Sequence, residues 1–104
     1  MNNAGTGFPA GTLDTTKEIL ETTFAVNVFG SLYVTQQVVP HMPSGGRIVN
    51  ITSVAAKLGP DILPVYGASK AALDSLTYSW ALEVRYNLLP KKTGLYIKYH
   101  HELI

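Results

Sequence analysis

Four polar residues able to do chemistry stand in otherwise apolar stretches of the chain: Asn27, Ser53, Tyr66 and Lys70. Tyr66 and Lys70 are four apart, so on a helix both side chains leave the same face close to one another. A free phenol titrates at about pH 10 and is a poor acid or base near neutrality. An ammonium group beside it favours the phenolate, most strongly where water is excluded. Such a pair can act as a tuned proton donor and acceptor. Ser53 ends a short β-branched run, and in an open parallel sheet the carboxyl end of a strand is where ligands bind. A hydroxyl there can donate to a carbonyl oxygen as negative charge builds on it. Together the three groups suit hydride transfer to a carbonyl, with Tyr66 protonating the oxygen.

The patterning predicts the elements that must hold these groups. Residues 3–12, rich in Gly and Pro, read as a loop. Thr15 and Glu18 have capping-box spacing behind Asp14 and predict a helix start. From Ile19 to Val39 the chain is apolar around much of a helical circumference (Ile19, Leu20, Phe24, Val28, Leu32, Val38), which suits a helix packed on a sheet or a partner. Pro40 and the Pro43-Ser44-Gly45-Gly46 turn close it. Residues 46–53 read as a buried parallel strand, since their apolar residues do not alternate cleanly. A loop with Gly59, Pro60 and Pro64 leads to a second helix, about Val65 to Tyr86. Its inner stripe is Tyr66, Lys70, Leu73, Leu76 or Thr77, Trp80 and Val84. Leu95–Tyr99 reads as a further strand. The order predicts an α/β class: a partial Rossmann-like parallel sheet of two to three strands, right-handed crossovers and two long helices.

The totals narrow the function classes. With 104 residues the chain fits one small domain, and 46% hydrophobic with 14% charged content reads as globular. A net charge of +1 makes no electrostatic case for nucleic acid or an anionic membrane as partner. The absence of cysteine excludes disulfides, thiolate metal sites and cysteine nucleophiles. No signal peptide or bilayer-spanning run is present, so a cytoplasmic protein is the default expectation. His41, His100 and His101 have no acidic cluster at metal spacing beside them, and no metal is expected. Asn50-Ile51-Thr52 fits a glycosylation acceptor but lies in the strand candidate.

Asn2-Asn3-Ala4-Gly5, Val26-Asn27-Val28-Phe29-Gly30, residues 46–53 ending in Ser53, and Tyr66-Gly67-Ala68-Ser69-Lys70 occur in one order along the chain. In that order and at those separations the chain resembles the short-chain dehydrogenase/reductase family, from about Asn2 to Tyr86. The resemblance implies an oxidoreductase moving a hydride between NAD or NADP and a small-molecule carbonyl or secondary alcohol. It implies Tyr66 as acid/base, and Lys70 as its charge partner and a ligand of the nicotinamide ribose. It implies Ser53 orienting the substrate carbonyl, and Asn27 holding a water that joins Lys70 to solvent. Asn3, Ala4 and Gly5 would line the cofactor crevice. It also implies two long helices that pack across a subunit interface, hence a homo-oligomer.

The departures from the family matter as much. Family members are over twice as long and begin with a strand, a glycine-rich turn and a helix that holds the pyrophosphate. Here residues 1–104 read as a single partial NAD(P)-binding domain, family-like over 2–86 with a divergent tail 87–104. Leu88 to Gly94 does not match the family's continuation. The expectation is a truncated chain, inactive alone, whose second reading is a non-catalytic fragment that associates with a full-length relative. Each site residue also has a plain structural reading: Ser53 capping a turn, Tyr66 a core aromatic, Lys70 a solvated helix residue, Asn27 a helix-bending amide. Trp80, Tyr78 and Tyr33 read as core or interface. Gly67 to Ala71 approximates a nucleophile elbow, with Asp74 and His100 downstream, but its last Gly is Ala and Asp74 shares the helix. Lys92-Thr93-Gly94 matches a β-lactamase element by chance.

Overall fold

The computed structural model describes residues 1–43, 46–59, 61–85 and 94–100, and of 84, 85 and 94–100 only the backbone. A single turn of 3-10 helix, Thr12–Asp14, precedes α1, Lys17–Phe24. A π-helical turn, Ala25–Phe29, joins α1 to α2, Gly30–Val38, and a second 3-10 turn, Val39–His41, ends the run. Strand β1, Arg47–Ser53, is followed by the short α3, Ala55–Leu58, the long α4, Pro64–Arg85, and strand β2, Gly94–His100. No helix of the described residues is long and apolar enough to cross a membrane.

The predicted strand, second helix and late strand all form, within a residue or two of their expected bounds at the ends described. β1 and β2 pair in parallel, with Arg47 opposite Gly94 and Ser53 opposite His100. On the other edge of β1, Asn2 makes one parallel bridge to Asn50: its N–H donates to Val49 O at 2.7 Å, and Ile51 N–H donates to Asn2 O at 3.1 Å. β1 therefore lies between two chain segments, which is why five of its seven residues are buried. Pro64 opens α4 at the one position where a missing N–H costs nothing. Gly46 N–H donates to Pro43 O at 3.0 Å, closing the predicted turn. The predictions for Ser44, Gly45, Pro60, 86–93 and 101–104 lie outside the described residues, as does the Val84 side chain.

Two local expectations are corrected. The cap of α1 is Thr16, whose Oγ1 accepts from Ile19 N–H at 3.1 Å, while the Thr15 hydroxyl turns back to donate to Gly11 O at 2.9 Å. The helix starts one residue later because Thr16, with ψ at 162°, is the residue still extended. The loop expected between β1 and α4 contains α3, stopped by Gly59 at φ +58°, a left-handed conformation that favours glycine.

The inward face of the first helical run also differs from the apolar one expected. Thr23, Asn27, Ser31 and Thr35 recur every four residues and are all buried. Leu20, Phe29, Tyr33, Val34 and Val38 face outward. On α4 the buried stripe is Tyr66, Lys70, Leu73, Thr77 and Trp80, with Ser69 and Asp74 beside it. Asn50 of β1 ties the layers together, accepting from Asn2 Nδ2 and donating to Thr77 Oγ1, both at 2.7 Å. With no exposure at all, Asn50 is no glycan acceptor in this fold.

Candidate active site

The first turns of α4 and the carboxyl end of β1 meet the segment 4–6 and the π-helical turn. Lys70 is buried, and its Nζ donates to Ile51 O of β1 at 3.0 Å. That ammonium lies 5.9 Å from the centroid of the Tyr66 ring. Burial pulls the Lys70 pKa below its ordinary value, and the Asp74 carboxylate opposes that pull. Gly5 forms the opposite wall: a methyl group on its Cα would stand 3.2 Å from Lys70 Nζ and 3.5 Å from Asn27 Oδ1. A side chain there would crowd the Lys70 ammonium, which would have to shift by a few tenths of an ångström.

Asn27 is fixed on three sides. Its Oδ1 accepts from Thr6 N–H at 2.8 Å, and its Nδ2 donates to Thr6 O at 2.8 Å and to Ser69 Oγ at 2.9 Å. Ser69 in turn donates to Tyr66 O at 2.7 Å. The amide thereby locks the 5–6 segment to the turn of α4 that bears Tyr66 and Lys70. It sits in the π-helical turn, which carries one residue more per hydrogen-bonded ring than an α-helix and often marks functional sites.

Ser53 is wholly buried, and its Oγ accepts from Ala55 N–H at 3.1 Å. Ala55 packs in one buried cluster with Leu63 and Tyr66, so Ser53 is linked to the Tyr66 ring through one residue. Ser53 is thus a turn cap, and the bond leaves its own proton free to donate elsewhere. Asn3 and Ala4 are exposed along an open hollow shared with Ala25, Val26, Gly30 and Ser31. The structure therefore brings Gly5, Asn27, Tyr66 and Lys70 together, sets Ser53 next to them, and places Asn3 and Ala4 along the hollow beside the π-helical turn.

Sequence reasoning missed Thr6, and it weighed Ser69 and Asp74 only as parts of a nucleophile elbow. The four-residue repeat Thr23-Asn27-Ser31-Thr35 and the matching positions Lys70-Asp74 on α4 were the available signal. The rival nucleophile-elbow reading fails, because Ser69 is buried inside α4 with its hydroxyl engaged, where an elbow needs a serine exposed at a strand–helix turn. His41 is exposed, and no cluster of metal-ligating side chains occurs among the described residues.

Parallel strands flanked by helices, with a phenol and an ammonium at the carboxyl end of one strand, define a Rossmann-like α/β protein. A family profile described as short chain dehydrogenase matches residues 1–88. The short-chain dehydrogenase/reductase FrzI of Cladobotryum is 39% identical over 90 residues, covering 85% of this chain and 35% of the relative. The short chain dehydrogenase asqE of Emericella nidulans is 42% identical over 88 residues, covering 80% and 32%. The crystal structure of a short-chain dehydrogenase/reductase from Burkholderia phymatum in complex with NAD aligns at a TM-score of 0.87 and 30% identity, covering 94% of this chain and 35% of that one. The chain belongs to the short-chain dehydrogenase family. It spans about a third of the length of these relatives.

Proposed function

We propose that residues 1–88 carry the proton-handling side of an oxidoreductase that moves a hydride between NAD(P)(H) and a carbonyl or secondary alcohol. The observation behind this reading is the meeting of the Lys70 ammonium, the Tyr66 ring, the Asn27 amide and the bare Gly5 backbone at one end of β1. Tyr66 is the acid/base: its hydroxyl gives a proton to the carbonyl oxygen in reduction and takes one back in oxidation. Ser53, its oxygen already held by Ala55 N–H, donates its proton to the same carbonyl oxygen as that atom gains charge. Lys70 has three donor protons, one of them directed to Ile51 O. The others suit the hydroxyls of a ribose, and Gly5, with Asn3 and Ala4 beyond it, allows a flat ligand close approach. Asn27 keeps these walls in register. When bound there, the nicotinamide supplies or accepts the hydride.

The donor set fits the ribose end of such a cofactor. The pyrophosphate end calls for a glycine-rich turn between a strand and a helix, and none occurs among the described residues. On this reading the 104-residue chain turns over no substrate alone. A cytoplasmic setting, where NAD(P)H is supplied, goes with it. One further observation favours a second, compatible role in association. Phe29 and Tyr33 on the first helical run, and Tyr78 and Leu82 on α4, form outward apolar rows at four-residue spacing.

The test is an exchange of residues 1–88 for the matching segment of a full-length family member. The chimera is expected to reduce a simple ketone with NAD(P)H. Tyr66→Phe in it should lower kcat/KM by roughly 10²-fold or more, the usual contribution of a positioned acid or base. A folded, cofactor-binding chimera whose rate ignores Tyr66→Phe would overturn the reading.

A further inference from the structure

Asp74 takes no part in the chemistry above, yet with Lys70 it is one of two charged side chains buried among the described residues. Only 6% of its surface is exposed, and its Oδ1 is buried with no hydrogen-bond partner. A carboxylate so placed is costly unless a charge compensates it. It lies four residues after Lys70 on α4, on the same buried face, one helical turn deeper than the ammonium. Lys70 has the complementary problem. Only 4% exposed, it has a single neutral carbonyl, Ile51 O, as hydrogen-bond partner.

Among the described side chains, Lys70 and Asp74 are the only charged ones buried. The helical run facing α4 contributes the uncharged Thr23, Asn27, Ser31 and Thr35. β1 contributes Asn50, Ile51 and Thr52, and its one charged residue, Arg47, is at the far end of the strand. The segment by Nζ contributes the Gly5 backbone, and α4 itself the phenol of Tyr66. α3, which packs on α4, carries the exposed Lys57, and on β2 the register places Lys98 opposite Ile51; both are cations, and neither replaces a carboxylate beside Lys70.

We propose that Asp74 is a positioning residue for the Tyr66–Lys70 pair, its buried carboxylate holding the Lys70 side chain as an ammonium ion against the wall formed by Gly5 and Asn27. The proposal rests on the reading of that pair as the proton-handling centre and adds the group that keeps its cation charged. It agrees with the opposed influences on Lys70, burial favouring the neutral amine and Asp74 the ion. Without the carboxylate, a lysine drawn down by burial would move toward the neutral amine, which neither stabilises a phenolate nor anchors a hydroxyl as strongly.

The experiment follows the Lys70 titration directly, in the full chain labelled with ¹³C/¹⁵N lysine, by NMR of the side-chain ε-carbon and ζ-nitrogen. Lys70 is assigned by the signal lost in Lys70→Met. In Asp74→Asn the Lys70 midpoint is expected to fall by about one pH unit, the order of an opposite charge removed from a buried neighbour. Asp74→Glu should recover most of it. An Asp74→Asn chain with native-like amide shifts and an unmoved or raised Lys70 midpoint overturns the proposal. If Asp74→Asn is too unstable to titrate, the Lys70→Met background decides by denaturation midpoint. There Asp74→Asn should be neutral or stabilising, because the buried carboxylate has lost its counter-ion. Equal destabilisation in both backgrounds would assign Asp74 a role independent of Lys70 and also overturn the proposal. None of these readouts needs turnover, so an inactive chimera with a shifted Lys70 would refute the functional reading and leave this one standing.

Discussion

Lys70 shows how a single buried side chain can tie stability to pH. Its pKa is lowered in the folded chain, chiefly by burial, from an ordinary value of 10.5. Between the lowered value and 10.5 the unfolded chain binds more protons than the folded one, so stability rises with pH across that window. Below the window both states carry the ion, and the folded chain bears the full desolvation penalty. A chemical-denaturation midpoint that climbs as the pH rises through that window toward 10.5, and a flatter profile in Lys70→Met, are expected. A profile identical in the two proteins would show that Lys70 is solvated in solution. The spacing of Tyr66 and Lys70 made their shared face legible in the sequence, because helical geometry turns a separation of four directly into proximity. The engagement of Asn27 with Thr6 and Ser69 was not legible, since it depends on where a distant segment crosses the helix. Asp74 was legible only as the acid of a rejected nucleophile elbow, because its burial beside Lys70 appears only once the helix is packed.

At the scale of elements, local chemistry fixed β1 and α4 well. A β-branched run between turns and a proline-initiated helix with a clear inner stripe have few alternatives. The first helical run was harder, because its buried stripe is made of Thr, Asn and Ser, residues that hydropathy counts as outward. Asn27 donates to Ser69 of α4 and Thr35 accepts from Asn2, and small side chains on this face let two helices approach closely, which hydropathy does not register. Cap position was the other error, since adjacent threonines offer the same side chain one residue apart. The structure separates them in a measurable way. Thr16→Ala removes the acceptor for Ile19 N–H and is expected to cost about 1 kcal/mol in denaturation free energy. Thr15→Ala removes a bond to a loop carbonyl that water can replace, and should cost less. Equal losses would mean that the helix start slides between the two threonines.

For the whole molecule, the decisive feature is how much apolar surface the long helices leave outside. Tyr33 is 60% exposed and Tyr78 55%, and each begins or continues a row with Phe29 or Leu82 one turn away. Scattered apolar residues are ordinary on a protein surface, but rows of large ones on two neighbouring helices suit a contact with another chain. Aromatic side chains dominate such contacts because they bury much area with few rotors to freeze. Self-association through these rows is therefore expected. The mass measured by sedimentation should rise with concentration from the micromolar to the millimolar range. Tyr33→Lys with Leu82→Lys should displace the midpoint of that rise at least about tenfold upward, equivalent to ~1.4 kcal/mol of contact energy. Both positions are exposed, so the pair leaves the buried stripe of α4 and the Thr16 cap intact, and unchanged helix content would separate lost association from lost fold. A chain that sediments as one species at every concentration would leave these rows as ordinary surface, with no partner required to explain them.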